Sequence, residues 1–239
     1  MDLDKRLKLI KRNTEEIIGE DKLKKLLKEK KPVAYIGTAT TGRPHIGYFL
    51  WALKVADLIK AGFHVKILLA DLHAALDNVS WHVLEHRYEY YKRIIPELIK
   101  TIGVNVKELE LIRGSDFQLK PEYMYDVLRM SSFVSVHDAQ KAAAEVVKMG
   151  NNPRLSGLIY PLMQAIDEEY LKVDAQLGGT DQRKIMVFAR ENLPKIGYNA
   201  RIEIMTPLIP GLVEDKMSAS GEDKIDLLDD EMTVCKAQE

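Results

Sequence analysis

The 239-residue sequence predicts an α/β fold in which a Rossmann-like parallel sheet carries helices on both faces. Strand-like and helix-like segments alternate along the chain, as they do when each parallel strand is followed by a crossover helix. Residues 65–70 form a nearly continuous apolar run, which is typical of a parallel strand buried on both faces. Ligands bind such sheets at the carboxyl ends of the strands, so the loops there are the places to look for chemistry.

The first strand–helix–strand unit is the most clearly marked. A short strand is predicted over 33–36, and a polar loop follows it. A helix is predicted from Pro44 to Gly62, because proline is tolerated in the first helical turn and glycine commonly ends a helix. Before this unit, apolar residues at helical spacing predict two short helices within 4–30.

The alternation continues toward the carboxyl end of the chain. The remaining predicted helices cover 81–101, 121–149 (as two helices), 155–170 (kinked at Pro161) and 181–193, and the remaining predicted strands cover 108–113, 173–177 and 202–205. We therefore expect N-terminal helices over 1–31 that pack on a Rossmann-like domain over 32–239.

Composition describes an ordinary globular protein. Hydrophobic residues make up 46% and charged residues 30%, which excludes a disordered or low-complexity chain. The net charge of −1 gives no general cationic surface for nucleic acid, although a local patch remains possible. Cys235 is the single cysteine, so we expect no disulfide framework and a reducing, cytoplasmic location. No apolar run predicts a membrane span or a signal peptide.

The loop after the strand 33–36 could bind an anion. Gly37 and Gly42 have the spacing of a P-loop, but Arg43 and Pro44 stand where that motif needs lysine and a hydroxyl residue. The start of the next helix would still offer backbone N–H groups, and His45 could donate a hydrogen bond there. A plain loop with a surface histidine is the alternative.

The apolar strand 65–70 is followed at once by a carboxylate and an imidazole, Asp71 and His73. Because ligands sit at this end of a parallel strand, both side chains are candidates for binding. The alternative is that Asp71 caps the next helix and that His73 is hydrogen-bonded and inert.

Three polar residues of the predicted helix 155–170 have spacings that place them on one face: Tyr160, Gln164 and Asp167. Their tyrosine, amide and carboxylate groups would suit a small polar ligand held from end to end. A solvated helix face is the alternative.

Two glycine-containing segments complete the candidates. Gly178 and Gly179 follow a predicted strand and would allow close backbone approach, and Asp181 could either bind a ribose hydroxyl or cap a tight turn. Residues 211–224 are rich in glycine and serine and place Lys216 among hydroxyl groups, which suits a mobile lid over phosphate.

A zinc site is a competing interpretation. His82, Glu85 and His86 fit the H-x-x-E-H pattern, with two histidines one helical turn apart. A zinc hydrolase would also need a third protein ligand, and the sequence offers no clear one. A solvated histidine pair is favoured, so no metal held by the protein is predicted.

Taken together, these segments resemble the catalytic domain of class I aminoacyl-tRNA synthetases, and within them the tyrosyl-tRNA synthetases of the archaeal and eukaryotic cytosolic branch. The resemblance runs from about Lys11 to Asp229. Residues 44–48 stand at the HIGH signature and residues 216–220 at the KMSKS signature. Four other segments match in order and spacing: 35–37, 70–74, 160–167 and 178–184.

The resemblance implies an enzyme that activates L-tyrosine with ATP, giving tyrosyl-adenylate and pyrophosphate, and then transfers tyrosine to tRNA(Tyr). Mg²⁺ would arrive with ATP as part of the substrate. A homodimer is implied by the similarity of residues 131–149 to the family's dimer-forming insertion, expected over about 115–150. The alternative within this resemblance is a tyrosine-binding relative without turnover.

The resemblance also implies roles for individual residues. Tyrosine would be bound at its phenol by Tyr35 and Asp167, and near its amino group by Tyr160, Gln164 and Gln182. ATP would be bound by Thr40, His45, Gly47, Gly179, Asp181 and Lys216. Charge on the phosphates would be stabilised by His45, Lys216, Ser218 and Ser220. The acceptor end of tRNA would be contacted by Arg183 and Lys184.

The sequence departs from the family pattern in three ways. Tyr48 replaces the second histidine of HIGH, and Ala219 replaces the second lysine of KMSKS, as in the cytosolic eukaryotic relatives. The sequence ends at Glu239, where the family would continue into an anticodon-binding domain. Tyrosine activation is therefore expected more firmly than efficient tRNA charging.

Overall fold

The computed structural model describes residues 1–105, 108–147, 149–208 and 225–228. The strands are β1 (Glu16–Ile18), β2 (Val33–Ala39), β3 (His64–Ala70), β4 (Leu109–Arg113), β5 (Ala175–Gly179) and β6 (Ile202–Thr206). The helices are α1 (Leu3–Lys11), α2 (Glu20–Glu29), α3 (Tyr48–Lys60), α4 (Asp71–Leu76), α5 (Leu84–Thr101), α6 (Ser115–Gln118), α7 (Pro121–Ser131), α8 (Val136–Ala143), α9 (Leu155–Tyr170) and α10 (Arg183–Asn192).

The described strands form one sheet in the order β1-β6-β5-β2-β3-β4. Strands β2 to β6 pair in parallel, while β1 is antiparallel to β6. The chain thus builds outward from β2 to β4 on one side and then continues through β5 and β6 on the other. This order creates a topological switch point between β2 and β5, where ligands bind in open parallel sheets. The predicted α/β fold with a parallel sheet is confirmed.

Side-chain alternation along β2 decides which residues face which layer. Ala34 and Ile36 belong to an apolar cluster with residues of α1, α2, α3 and α5. Tyr35 belongs instead to a smaller cluster with Leu68 and Val173. Helices α7 to α10 share a further apolar cluster. The pleat of β2 therefore turns Tyr35 away from the main cluster.

Residues 4–30 differ from the prediction of two helices, because β1 lies between α1 and α2. Ile17 of β1 pairs with Ile204 of β6, at the far end of the described chain. A three-residue strand is too short to show alternation, and its apolar residues also fit a helical spacing. The prediction was incomplete for this reason.

Helix α3 begins at Tyr48, later than the predicted start at Pro44. Before it, His45 forms a single antiparallel bridge with Asp226: the Ile46 N–H donates to the Ile225 carbonyl at 2.9 Å, and the Leu227 N–H donates to the Pro44 carbonyl at 3.1 Å. The proline signal could not reveal this bridge, because its partner is remote in sequence. No helix among the described residues has the length and apolar character that crossing a bilayer requires.

Lys54 of α3 joins two helices through the core. It is 2% exposed, and its ammonium group donates to the carbonyl oxygens of Leu9, Ile10 and Arg12. These carbonyls lie at the carboxyl end of α1, where helical N–H partners run out. Lys54 therefore fixes the end of α1 against α3.

We expect Lys54→Met to lower the free energy of unfolding by about 1–3 kcal/mol, because buried carbonyls lose a charged donor. Urea denaturation followed by circular dichroism measures this change. Lys60→Met is the matched control, since Lys60 is exposed on the same helix. Equal stability of the two variants would contradict the role given to Lys54.

Candidate functional site

A cavity of about 650 Å³ lies at the switch point of the sheet. Its wall includes residues of β2, β3 and β5, the segment that leads into α3, and helix α9. Nine of the residues to which the resemblance assigns a role line it: Tyr35, His45, Gly47, Tyr160, Gln164, Asp167, Gly179, Asp181 and Gln182. Thr40 is fully buried, and its neighbour Thr41 lines the wall. Lys216, Ser218 and Ser220 lie outside the described residues.

Two buried polar side chains from different elements line this cavity. Tyr35 of β2 is 1% exposed and Asp167 of α9 is fully buried. The Tyr35 hydroxyl donates only a long hydrogen bond, 3.5 Å, to the Gln164 carbonyl oxygen. We call this part of the cavity the phenol end, defined by Tyr35, Asp167 and His73.

The two oxygens of Asp167 differ in their partners. Its Oδ1 accepts from the Gln118 amide and from the Tyr123 hydroxyl, both at 2.8 Å. Its Oδ2 is buried and has no hydrogen-bond partner among the described residues. Asp167 therefore holds one oxygen ready to accept from a ligand. No sequence motif marked Gln118 or Tyr123, which lie on α6 and α7, remote from α9 in sequence.

Burial raises the pKa of Asp167 to about 7, while the hydrogen bonds from Gln118 and Tyr123 act in the opposite direction. Burial also raises the pKa of Tyr35 well above its ordinary value. The Tyr35 hydroxyl is therefore a neutral donor throughout the physiological range.

His73 of α4 lies beside Asp167, with 3.7 Å between its Nε2 and the Asp167 Oδ2. Burial lowers the pKa of His73 to about 4, so the imidazole is neutral at pH 7 and the approach is not an ion pair. The ring also packs edge-on against Tyr160, with 4.6 Å between centroids. Of the two candidates after β3, His73 thus lines the cavity.

Asp71, the other candidate, has a structural place instead. Its carboxylate accepts from Arg113 Nε at 2.8 Å and from the backbone and hydroxyl of Ser115 at 2.9 and 2.6 Å. These bonds join the end of β3 to the end of β4 and the start of α6. The capping alternative is wrong, because Asp71 is the first residue of α4 and the N-cap residue is Ala70, with no side-chain cap bond.

Helix α9 carries its polar residues along the cavity. Asp167 lies seven positions after Tyr160, about 10 Å along the helix axis. Between them, the Gln164 amide donates to the Gln182 side-chain oxygen at 3.2 Å. The solvated-face alternative is wrong for Tyr160 and Asp167, which are 7% and 0% exposed.

The HIGH-like segment presents its histidine to the cavity. The Gly47 N–H donates to His45 Nδ1 at 3.1 Å, so the ring hydrogen is on Nε2, which can serve as a donor. The surface-histidine alternative is wrong, because His45 is 7% exposed. Tyr48, at the second histidine position, bonds through its hydroxyl to Thr38 and Tyr91.

Gly179 is fitted closely to its surroundings. A Cβ at this position would lie 2.6 Å from Asp181 Oδ1 and 2.7 Å from Leu208 Cδ2. Any larger residue would push Asp181 or Leu208 aside, so the glycine keeps both next to the end of β5.

Arg183 and Lys184 lie outside the cavity wall and form ion pairs. Arg183 donates to the carboxylate of Glu16 at 2.7 and 3.0 Å, and Lys184 lies 2.6 Å from the carboxylate of Glu145.

The zinc interpretation finds no support in the part of the chain that is described. Glu85 pairs with Arg113 at 2.7 Å. Residues 1–105, 108–147, 149–208 and 225–228 contain no group of three or more histidine, cysteine or acidic side chains that could hold a metal ion.

Comparison with known proteins shows the family of the chain. Residues 27–238 match the family model described as tRNA synthetases class I (W and Y). The chain belongs to this family. The resemblance expected from the sequence is thereby confirmed.

The relatives most similar in sequence include cytoplasmic tyrosine–tRNA ligases. The Gallus gallus protein of this name is 56% identical over 231 residues, which are 95% of this chain and 44% of that protein. The Saccharomyces cerevisiae protein is 49% identical over 95% of this chain and 59% of its own length. The chain therefore spans less than half of the Gallus gallus relative.

A solved structure agrees with the sequence relatives. Tyrosyl-tRNA synthetase from Archaeoglobus fulgidus, complexed with L-tyrosine, superposes with a TM-score of 0.91 at 36% identity. The match covers 99% of this chain and 73% of that one.

We expect the buried carboxyl of Asp167 to make stability depend on pH. Its pKa rises from an ordinary value of 3.8 to about 7 on folding, so between these values the folded chain keeps a proton that the unfolded chain has released. Stability falls as pH rises through this window, by about 2 kcal/mol between pH 5 and pH 7. Urea denaturation at both pH values measures the fall.

Asp167→Asn should reduce this pH dependence, whereas Asp116→Asn, at an exposed position on α6, should leave it unchanged. An unaltered fall in stability in Asp167→Asn would show that Asp167 is already ionised over the range.

Proposed function

We propose that this chain activates L-tyrosine with ATP, giving tyrosyl-adenylate and pyrophosphate. The observation that carries the proposal is the phenol end, where a neutral hydroxyl donor, Tyr35, and an unpartnered carboxylate oxygen, Asp167 Oδ2, line one buried cavity. A phenol hydroxyl needs a donor and an acceptor when it is buried, and these groups supply both. The names of the relatives support the same substrate.

Selection against phenylalanine follows from the same two groups. Phenylalanine would fill the space but would leave Asp167 Oδ2 without a partner and the Tyr35 hydroxyl with only its long bond to the Gln164 carbonyl oxygen, both away from water. Tyrosyl-tRNA synthetases are themselves the standard example of such rejection.

The amino-acid backbone and the nucleotide would occupy the rest of the cavity. We assign the α-amino group to Tyr160, Gln164 and Gln182, which line the same cavity and of which Gln164 and Gln182 are hydrogen-bonded to each other. Gly179 and Gly47 would allow the nucleotide close approach, and Asp181 would bind the ribose. Thr40, which is buried between the lining residues Ala39 and Thr41, is also assigned to ATP binding.

The chemical step needs positioning and charge stabilisation. An oxygen of the tyrosine carboxylate forms a bond to the α-phosphorus of ATP, and the bond from that phosphorus to the bridging oxygen of pyrophosphate breaks. His45, through its Nε2 hydrogen, would stabilise the negative charge that develops on the phosphate oxygens. Lys216, Ser218 and Ser220 are assigned the same task, and Mg²⁺ enters with ATP.

Transfer of tyrosine to tRNA(Tyr) is the second step that we propose. Arg183 and Lys184 would contact the acceptor end, exchanging their carboxylate partners Glu16 and Glu145 for phosphates. A homodimer is supported by exposed apolar side chains on and beside α7 and α8: Leu119, Leu128, Phe133 and Val136 are 55–68% exposed. A cytoplasmic location is supported by the names of the relatives.

Pyrophosphate exchange with each amino acid in turn tests the proposal. We expect ATP–pyrophosphate exchange that depends on tyrosine and is at least about 10³-fold weaker with phenylalanine, because the phenol end leaves two buried groups unpaired without the hydroxyl. Tyrosine binding without exchange would identify a binding protein instead. Exchange with another amino acid would refute the assignment of the phenol end.

We expect Asp167→Asn to raise the KM for tyrosine about 10- to 100-fold, because an amide nitrogen would replace the acceptor Oδ2 and the phenol hydrogen would lose its partner. The KM for ATP should change little. Asp126→Asn is the control: Asp126 is also buried, but it accepts from Tyr170, Tyr198 and Arg129 outside the cavity wall. A rise in both KM values, or in neither, would contradict the role of Asp167.

A further inference from the structure

Gln118, at the end of α6, is a fully buried side chain that connects two groups of the phenol end. Its Nε2 donates to Asp167 Oδ1 at 2.8 Å and lies 3.4 Å from His73 Nδ1. An amide nitrogen carries two hydrogens, so it can serve both partners. The opposite orientation would place the amide oxygen against Asp167 Oδ1, which is an acceptor and also takes the Tyr123 hydrogen bond, so the acceptor at Oδ1 fixes the orientation.

The amide of Gln118 determines where the hydrogen of His73 resides. Nδ1 faces an N–H donor and must accept, so the neutral ring carries its hydrogen on Nε2. That nitrogen is buried and has no hydrogen-bond partner among the described residues. It lies 3.7 Å from Asp167 Oδ2, which is also unpartnered.

The two unpartnered atoms form a complementary pair. A hydroxyl placed beside them can donate its hydrogen to Asp167 Oδ2 and accept one from His73 Nε2. A phenylalanine ring offers neither possibility. The phenol end therefore contains a second donor besides Tyr35, and its direction depends on Gln118.

Packing alone does not account for Gln118. Its Oε1 is buried without a hydrogen-bond partner in the described part of the chain, a cost that an apolar side chain of the same length would avoid. The backbone is also fitted to it, since a Cβ on Gly114 would lie 2.6 Å from this oxygen. The donors of Gln118, rather than its volume, explain its presence.

We propose that Gln118 is a positioning residue for tyrosine selection, which directs Asp167 Oδ2 and the Nε2 hydrogen of His73 toward the phenol hydroxyl. This inference rests on the proposed tyrosine activation and adds His73 to the groups that contact the substrate.

Gln118→Met tests the inference by keeping the length of the side chain and removing both donors. We expect the KM for tyrosine to rise about tenfold or more, with the KM for ATP and the kcat at saturating tyrosine within about threefold of wild type. Selectivity for tyrosine over phenylalanine in kcat/KM should fall by a similar factor.

Asn192→Leu is the matched control, because it removes another buried amide, which donates to the Phe188 carbonyl on α10 outside the cavity wall. An unchanged KM for tyrosine in Gln118→Met would overturn the inference. Equal changes in the KM for tyrosine and for ATP would do the same, because they would indicate a general structural defect.

A measurement on the wild-type chain keeps the inference testable even where the variant does not fold. ¹⁵N NMR of the His73 imidazole distinguishes the two neutral forms, and we expect the hydrogen on Nε2. A hydrogen on Nδ1 would overturn the inference. Absence of tyrosine-dependent exchange in the wild type would instead refute the proposed function, whatever form His73 takes.

Discussion

Burying one carboxylate is the constraint from which the arrangement of the phenol end follows. Asp167 sits where desolvation disfavours its charge, so it needs donors from its surroundings. Gln118 and Tyr123 supply them to one oxygen only. Satisfying both oxygens would have stabilised the empty chain but left nothing for a ligand to bind. The same unpartnered oxygen thus lowers the stability of the empty chain and provides the acceptor that selects a ligand hydroxyl.

Most of the fold could be predicted from the sequence, because its signals are local. The apolar run that became β3 and the alternation of strands and helices depend on neighbouring residues only. Part of the candidate site could be predicted for the same reason. Tyr160, Gln164 and Asp167 share one helix, and their spacing alone places them on one face. The carboxyl ends of parallel strands then bring Tyr35 and Gly179 to the same cavity.

The features that the sequence could not predict depend on partners remote in the chain. β1 is recognisable only through its pairing with β6, and the late start of α3 only through the backbone bridge between residues 44–46 and 225–227. Gln118 and Tyr123 occupy no motif, since an isolated glutamine or tyrosine carries no signal of what it will contact. Asp71 is the opposite case, a residue that the sequence marked but that has a structural place. Its position after β3 predicted a ligand-binding side chain, but Arg113 and Ser115 bond to its carboxylate oxygens.

The short strand β1 has a consequence for solubility. All five residues of β6 are buried, and without β1 its outer backbone groups would be open along an apolar edge. Unpaired edges of this kind recruit strands from other molecules and lead to aggregation. By running antiparallel along β6, β1 pairs with these groups and becomes the edge strand itself, and its three residues are too few to recruit a strand from another molecule. This short strand therefore protects the sheet from strand-to-strand aggregation.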